Sequence, residues 1–384
     1  MTGVLRRVGL VLAAPALAIL FALLVTTLVL LSTGTDPWAT FSAMLDYAAR
    51  PRTQVLILNS ATTYYFAAIA VAIGFRMNLF NIGVDGQYRL AAMLAAALGG
   101  ALTLPPVLHA AVIVVVAMLV GGLWAGAAAV LKVYRGVSEV ISTIMLNFVA
   151  TGIVAYLLTP GRLAQRTAGS NNVGTKEIPE SGRVPGLALV PGSTLEVYGL
   201  VVLAAVVGVA FWFGINRTRF GFDLRATGIS EPAAVAGGVD VKRMVLLTMV
   251  LSGVVAGLVG MPQLLGASYT YSLDFPAGLG FTGIAIALLG RNDPIGIAIG
   301  ALLWGFLDNS ALILDLEGVA KEIVLITQAV TVLSVVVAYE LVRRYRLAAQ
   351  QRAVGRQLGT LPDAAPDAAS NAVADAAGPR GAGA

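Results

Sequence analysis

The stretch "FRMNLFNIGVDGQ", residues 75–87, lies between two long apolar runs. It is too polar to cross a bilayer and too apolar for an ordinary loop. It holds two amides that could cap helices or line a path (Asn81 and Gln87), a third amide (Asn78), one carboxylate (Asp85) and two glycines (Gly83 and Gly86). Backbone that is not helical is tolerated at membrane depth only where it is buried in protein or lines a wet cavity. The stretch therefore predicts an interrupted pair of spans, provided that the chain is membrane-embedded.

Composition supports that condition. Hydrophobic residues make up 58% of the 384 residues, charged residues 12%, and the mean hydropathy is +0.85. Soluble domains carry roughly 25% charged residues, so a chain of this length reads as a polytopic bundle. The net charge of +5 is spread over many short loops and is no nucleic-acid signal. Cysteine is absent, which excludes thiolate chemistry and disulfides. The single histidine, His109, follows Pro105 and Pro106 at an expected helix end and is expected at the surface. No Gly-x-x-x-x-Gly-Lys-Ser/Thr phosphate loop, HExxH or Gly-x-Ser-x-Gly motif occurs. The inventory points away from an enzyme, and no cofactor or metal is expected. If the chain uses ATP, another chain must hydrolyse it.

Apolar segments of spanning length fall near 8–31, 54–74, 84–104, 107–131, 138–158, 196–215, 244–265, 278–290, 295–314 and 320–342. The expected fold is an all-α polytopic membrane protein of about ten transmembrane helices. The run after Arg6 and Arg7 is too long for a signal peptide and reads as an uncleaved first span. With the N-terminus inside, inner loops carry twice as many Lys and Arg as outer ones, so both termini are expected in the cytoplasm. Residues 1–346 form the expected transmembrane domain, with an outer loop at 159–195 and an inner loop at 216–243. The Ala-, Asp- and Pro-rich tail 347–384 is expected to be disordered.

Ten spans divide into five and five around the outer loop. An odd number per half gives the halves opposite orientation, and such inverted repeats place solute sites near the midplane at broken helices. A second interrupted stretch, "YSLDFPAGLGFTGIAIALLGRNDPIG" (271–296), flanks the third span of the second half as 75–87 flanks that of the first. The spacings Gly122/Gly126, Gly253/Gly257 and Gly296/Gly300 suit close helix packing in lipid.

Polar residues that could line a path through the bundle are Asn81, Gln87 and Asn147, with Gln263, Thr282 and Asn309 as weaker candidates; Phe80 is an aromatic candidate beside them. Asp85 and Arg89, four apart, can pair on one helix face. In the inner loop, Ser230 is a plausible N-cap, Glu231 suits a positive helix end, and Pro232 fits the first turn. Ala233, Ala234, Val235 and Ala236 continue the helix and Gly237–Gly238 ends it. A short exposed helix of this kind suits a groove on a partner.

Four stretches in order, "FNIGVDGQ", "EVISTIMLNFVATGIVAYLL", "TRFGFDLRATGISEPAAVAGGVDVKRMVLLTMVLSGVVAGLVG" and "GFTGIAIALLGRNDPIGIAIGALLWGFL", resemble permeases of bacterial ABC importers. The resemblance covers about residues 10 to 345. It is nearest to the nucleoside branch of a group that includes ribose and branched-chain amino acid permeases. Asp85 stands where that branch more often has Glu. The resemblance implies a two-permease pore with a related second permease subunit, a pair of cytoplasmic ABC ATPases and an extracytoplasmic substrate-binding lipoprotein. It also implies that Ser230–Ala236 is the coupling helix seated in the ATPase. A simple sugar is the alternative cargo. An ion-coupled secondary transporter is the rival class, with only Asp85 and Asp308 as embedded carboxylates.

Overall fold

The computed structural model describes residues 20–166, 172–316 and 322–358. Contacts divide the chain into one unit of residues 22–332 and another of residues 1–21 with 333–384. Everything discussed below lies in the first unit, except Leu20 and Phe21 at the start of the first helix and the last helix from Leu333 onward.

The described residues form fourteen helices. They are α1 (Leu20–Ser32), α2 (Pro37–Ala48), α3 (Pro51–Phe75), α4 (Val84–Ala101), α5 (Leu108–Arg135), α6 (Glu139–Leu157), α7 (Val201–Arg217), α8 (Arg219–Ile229), α9 (Glu231–Ala236), α10 (Val241–Gly257), α11 (Met261–Gln263), α12 (Leu279–Leu289), α13 (Pro294–Leu316) and α14 (Glu322–Leu358). A π-helical turn, Leu264–Ser268, continues α11. Between α6 and α7 lies an antiparallel pair, β1 (Ala164–Arg166) and β2 (Val173–Thr175).

Helix ends follow local chemistry. Asp36, Thr218 and Asp240 accept backbone N–H bonds at the starts of α2, α8 and α10. Gly136, with φ +68°, closes α5 in a left-handed turn that a side chain would strain.

Six helices are long and apolar enough to cross a membrane, or up to eight if each bent pair is one span. The expected count of about ten is therefore not reached by length and apolarity. The reason is physical: α12 has 11 residues and spans about 16 Å at 1.5 Å per residue, half a bilayer core. The chain also turns by 117° between α1 and α2, an element the hydropathy pattern did not separate. The last helix runs past residue 346 to Leu358, so the expected start of the tail moves; residues 359–384, like 1–19, lie outside the described residues.

Packing crosses between the halves. Helix α3 of the first half lies against α12 and α13, and α10 of the second lies against α4 and α5; α3 and α10 also touch. Glycine makes these approaches possible. A Cβ on Gly253 would meet Ala125 and the Gly121 carbonyl, and one on Gly257 would meet the Ala117 carbonyl. On the other side, Gly283 faces Ala67 and Gly305 faces the Ile57 carbonyl. Without a hydrophobic driving force in lipid, such close backbone contact holds helices together. A second apolar cluster joins Leu30, Met44, Leu307, Leu314, Ile323 and Val324.

Candidate functional site

The two interrupted stretches meet. Helix α4 begins at Val84 and α12 at Leu279, and their first turns are in contact: Asp85 Oδ1 accepts from the Gly278 N–H at 2.8 Å, and Tyr88 Oη donates to the Pro276 carbonyl at 2.7 Å. Gly278 has φ +83°, and a Cβ on Gly280 would sit 2.5 Å from the Asp85 backbone nitrogen. Two positive helix ends are thus brought together, and the Asp85 carboxylate lies between them. Arg89 approaches Asp85 at 4.0 Å, one helical turn on.

The amides of residues 75–87 serve this junction. Asn81 Nδ2 donates to Gln87 Oε1 at 3.0 Å and to Ser252 Oγ of α10 at 2.8 Å; Gln87 Nε2 donates to Asn81 Oδ1 at 2.9 Å. Asn81 Oδ1 also accepts from the Gly83 N–H at 3.1 Å. Ser252 Oγ donates onward to the Ala70 carbonyl of α3 at 2.6 Å. Asn147, on α6, accepts from the Gly86 N–H at 2.8 Å and donates to the Ile82 carbonyl at 2.9 Å. These bonds satisfy the first turn of a helix that starts inside the protein, where unpaired N–H groups are costly. Asn81 and Gln87 are each 1% exposed, so their polar atoms are spent internally. Phe80 is exposed and packs edge-on to Phe75, with centroids 5.1 Å apart.

Beside this junction is a polar cavity of about 290 Å³. Leu56, Asn59, Ser60, Thr63 and Tyr64 of α3 line it, with Tyr198, Gln263, Pro276, Leu279 and Asp308 of α13. A second cavity of about 570 Å³, lined partly by residues 183–186 and 194–196 of the long loop, shares Leu56, Asn59 and Tyr198 with it. Solute sites typically occupy roughly 300–1,000 Å³, so the two cavities are of the right size for a small solute. Gln263 is among the lining residues and accepts from Tyr198 Oη at 3.0 Å. Asn309 lies next to Asp308 and donates to Ser60 Oγ at 3.2 Å and to the Gly305 carbonyl at 2.8 Å. Thr282 is half-buried one turn into α12 and is not among the cavity's lining residues. Asn59, Ser60, Thr63, Tyr64 and Tyr198 were missed by sequence reasoning. The polar positions of α3 recur at 59, 60, 63 and 64, a helical face that could have marked it.

The long loop is tied to the second break. Thr175 and Ile178 donate N–H bonds to the Tyr271 and Tyr269 carbonyls, each at 2.9 Å, and Asn59 bonds the Glu196 carbonyl and the Tyr198 N–H. His109 belongs to this scaffold rather than to the surface. It is fully buried, with Nε2 3.0 Å from the Gly99 carbonyl and Nδ1 2.9 Å from Ser181 Oγ. The loop folds back over the helix end, which hydropathy could not foresee.

At the opposite end, Arg76 donates through Nε and Nη2 to the Asn292 carbonyl at 3.0 and 2.7 Å. Burial pulls its guanidinium below the ordinary range, and Asp293 opposes that shift. Helix α9 is present as expected: Ser230 Oγ accepts from the Ala233 N–H at 3.4 Å and Gly237 ends the helix. Glu231, Pro232, Ala233, Val235 and Ala236 are exposed, whereas Ala234 is buried. The Ala234 side chain packs against its own chain. Phe222, Ile229 and Val235, large apolar side chains of α8 and α9, are 63%, 86% and 60% exposed. Gly228 of α8 lies against Met77, so this surface abuts the stretch that leads to Asn81.

Comparison with known proteins places this architecture. Residues 54–355 match the family described as branched-chain amino acid transport system / permease component. The chain belongs to that permease family. The guanosine ABC transporter permease protein NupP of Bacillus subtilis is 32% identical over 341 residues, covering 85% of this chain and 93% of that one. The nucleoside ABC transporter permease protein NupB of Lactococcus lactis is 29% identical, covering 85% and 90%. The glucose ABC transporter permease protein TsgB13 of Haloferax volcanii is 30% identical, covering 87% and 89%. No solved structure matches. The protein is a multi-pass membrane permease component.

Proposed function

We propose that the chain is the transmembrane subunit of an ABC importer that carries nucleosides inward, powered by a separate ATPase. The observation that carries the cargo reading is the 32% identity to a guanosine permease over nearly the whole of both chains. The polar, uncharged character of most of the cavity lining supports it, since a nucleoside presents hydroxyls and ring nitrogens. In this reading α4 and α12 complete ten spans in two inverted five-helix halves, both termini are cytoplasmic, and the loop 159–195 faces outward. A binding lipoprotein delivers solute to the cavity by that loop. The path runs past Asn59, Gln263 and Asn309, with Thr282 and Phe80 further along. Asn81, Gln87 and Asn147 hold the broken helix that closes the path in this conformation.

The α8–α9 surface receives the ATPase in this reading. Motion of α9 reaches Asn81 through Gly228 and Met77, which biases a bistable element, the broken helix pair. A second, related permease completes the pore. Sugar cargo is the second reading, favoured by the glucose relative. Uptake of labelled guanosine and of labelled glucose, each in vesicles holding the full importer, decides between them. Uptake of glucose with none of guanosine overturns the nucleoside reading.

A further inference from the structure

One carboxylate of the membrane core has an oxygen unspent. Asp308 lies on α13, the one charged residue of the span Pro294–Ala311, and it is exposed to the 290 Å³ cavity rather than paired with a cation among the described residues. Its Oδ2 accepts from Tyr64 Oη at 2.7 Å; its Oδ1 has no hydrogen-bond partner among the described residues. Neighbouring groups in the same cavity are also unspent. Gln263 uses its oxygen on Tyr198 and leaves Nε2 free, and Ser60 accepts from Asn309 and leaves its hydroxyl proton free. A charged side chain at membrane depth is costly and persists facing a wet cavity or a ligand. Asparagine at this position would avoid that cost and still bond Tyr64.

Resting on the nucleoside reading above, we infer that Asp308 is a specificity residue that accepts the vicinal 2′- and 3′-hydroxyls of a pentose. A carboxylate only accepts hydrogen bonds, and a diol offers two donors about one carboxylate width apart. Tyr64 fixes the carboxylate by holding one oxygen. Gln263 Nε2 and Ser60 Oγ–H supply donors for the ring oxygen or base. The same negative charge repels phosphorylated solutes, so the free nucleoside is carried in preference to the nucleotide. Charge-assisted hydrogen bonds are the stronger class, and losing one leaves a polar group unpaired.

The test compares uptake of guanosine with that of 2′,3′-dideoxyguanosine, in vesicles holding the complete importer with its own binding protein. The binding protein is the same throughout, so a change in the ratio arises in the permease. Wild type is expected to favour guanosine, and D308N is expected to lower that ratio about tenfold while uptake of the dideoxy probe persists. Equal loss of both probes in D308N, or an unchanged ratio, overturns the inference. Y64F retains the carboxylate but no longer fixes it, so the ratio is expected to fall about threefold; an unchanged ratio in Y64F overturns the inference even if D308N does not assemble. A parallel arm uses ribose and 2-deoxyribose. Uptake of the sugars with none of the nucleosides overturns the nucleoside reading, and the effect of D308N on the sugar ratio still decides the role of Asp308.

Discussion

Replacing Asn147 with leucine tests the junction most sharply. The two side chains share a count of four heavy atoms and the same branching at Cγ, so the change chiefly removes hydrogen bonds. The Gly86 N–H loses an acceptor at 2.8 Å and the Ile82 carbonyl loses a donor at 2.9 Å. A buried unsatisfied group costs about 1–3 kcal/mol. Hydrogen bonds between membrane helices are worth about 0.6 kcal/mol on average, because the reference state finds other partners. Gly86 is buried, and it is wedged against the Asn147 backbone and Ala150, which leaves little room for a replacing water. The two bonds together are therefore expected to contribute about 2–3 kcal/mol. Reversible unfolding of the detergent-solubilised chain measures this directly. Folded yield and uptake are expected to fall in parallel, since Asn147 holds the start of α4. Unchanged stability with abolished uptake would refute the reasoning and return Asn147 to the solute path.

Other substitutions separate the remaining roles. Val235→Asp or Ile229→Asp is expected to cut ATPase co-purification at least tenfold while membrane insertion stays intact, because each places a charge on an exposed apolar face; unchanged co-purification would remove α9 from the docking surface. Ala234→Leu is expected instead to destabilise the inner loop itself, seen as faster proteolysis between 216 and 243. Gly257→Leu is expected to abolish folded protein, since any side chain there overlaps the Ala117 carbonyl, whereas Gly126→Ala, with Val250 Cγ2 3.5 Å away, is tolerated. Asp85→Leu removes the acceptor for the Gly278 N–H and is expected to cost about 1–3 kcal/mol in the same unfolding assay, with Asp85→Asn much milder; the reverse order would show that charge, not hydrogen bonding, holds the junction.

Much of the fold was legible because lipid imposes a simple rule on spans. The interruptions at 75–87 and 271–296, the cap at Ser230 and the glycine contact at Gly253/Gly257 all follow from backbone chemistry visible in the sequence. What the sequence hid is tertiary. His109 is buried only because the long loop returns over Gly99, and Ala234 faces inward only because of how α9 sits on its neighbours. In the sequence Asn81 and Gln87 read first as solute contacts, with capping as the alternative. The choice depended on whether Ser252, 171 residues away from Asn81, supplied a partner. The cavity residues of α3 were obscured for a different reason: Ser, Thr and Tyr barely lower the apolarity of a span, so a polar face passes as membrane helix.

The central claim is that this chain gates a path and takes its power stroke from outside the bilayer. The most direct measurement is solute accumulation in liposomes, with the purified chain alone under proton and sodium gradients and with the complete importer supplied with ATP. The account predicts uphill accumulation only in the second case, abolished when ATP is replaced by a non-hydrolysable analogue. Uphill accumulation by the chain alone would contradict it.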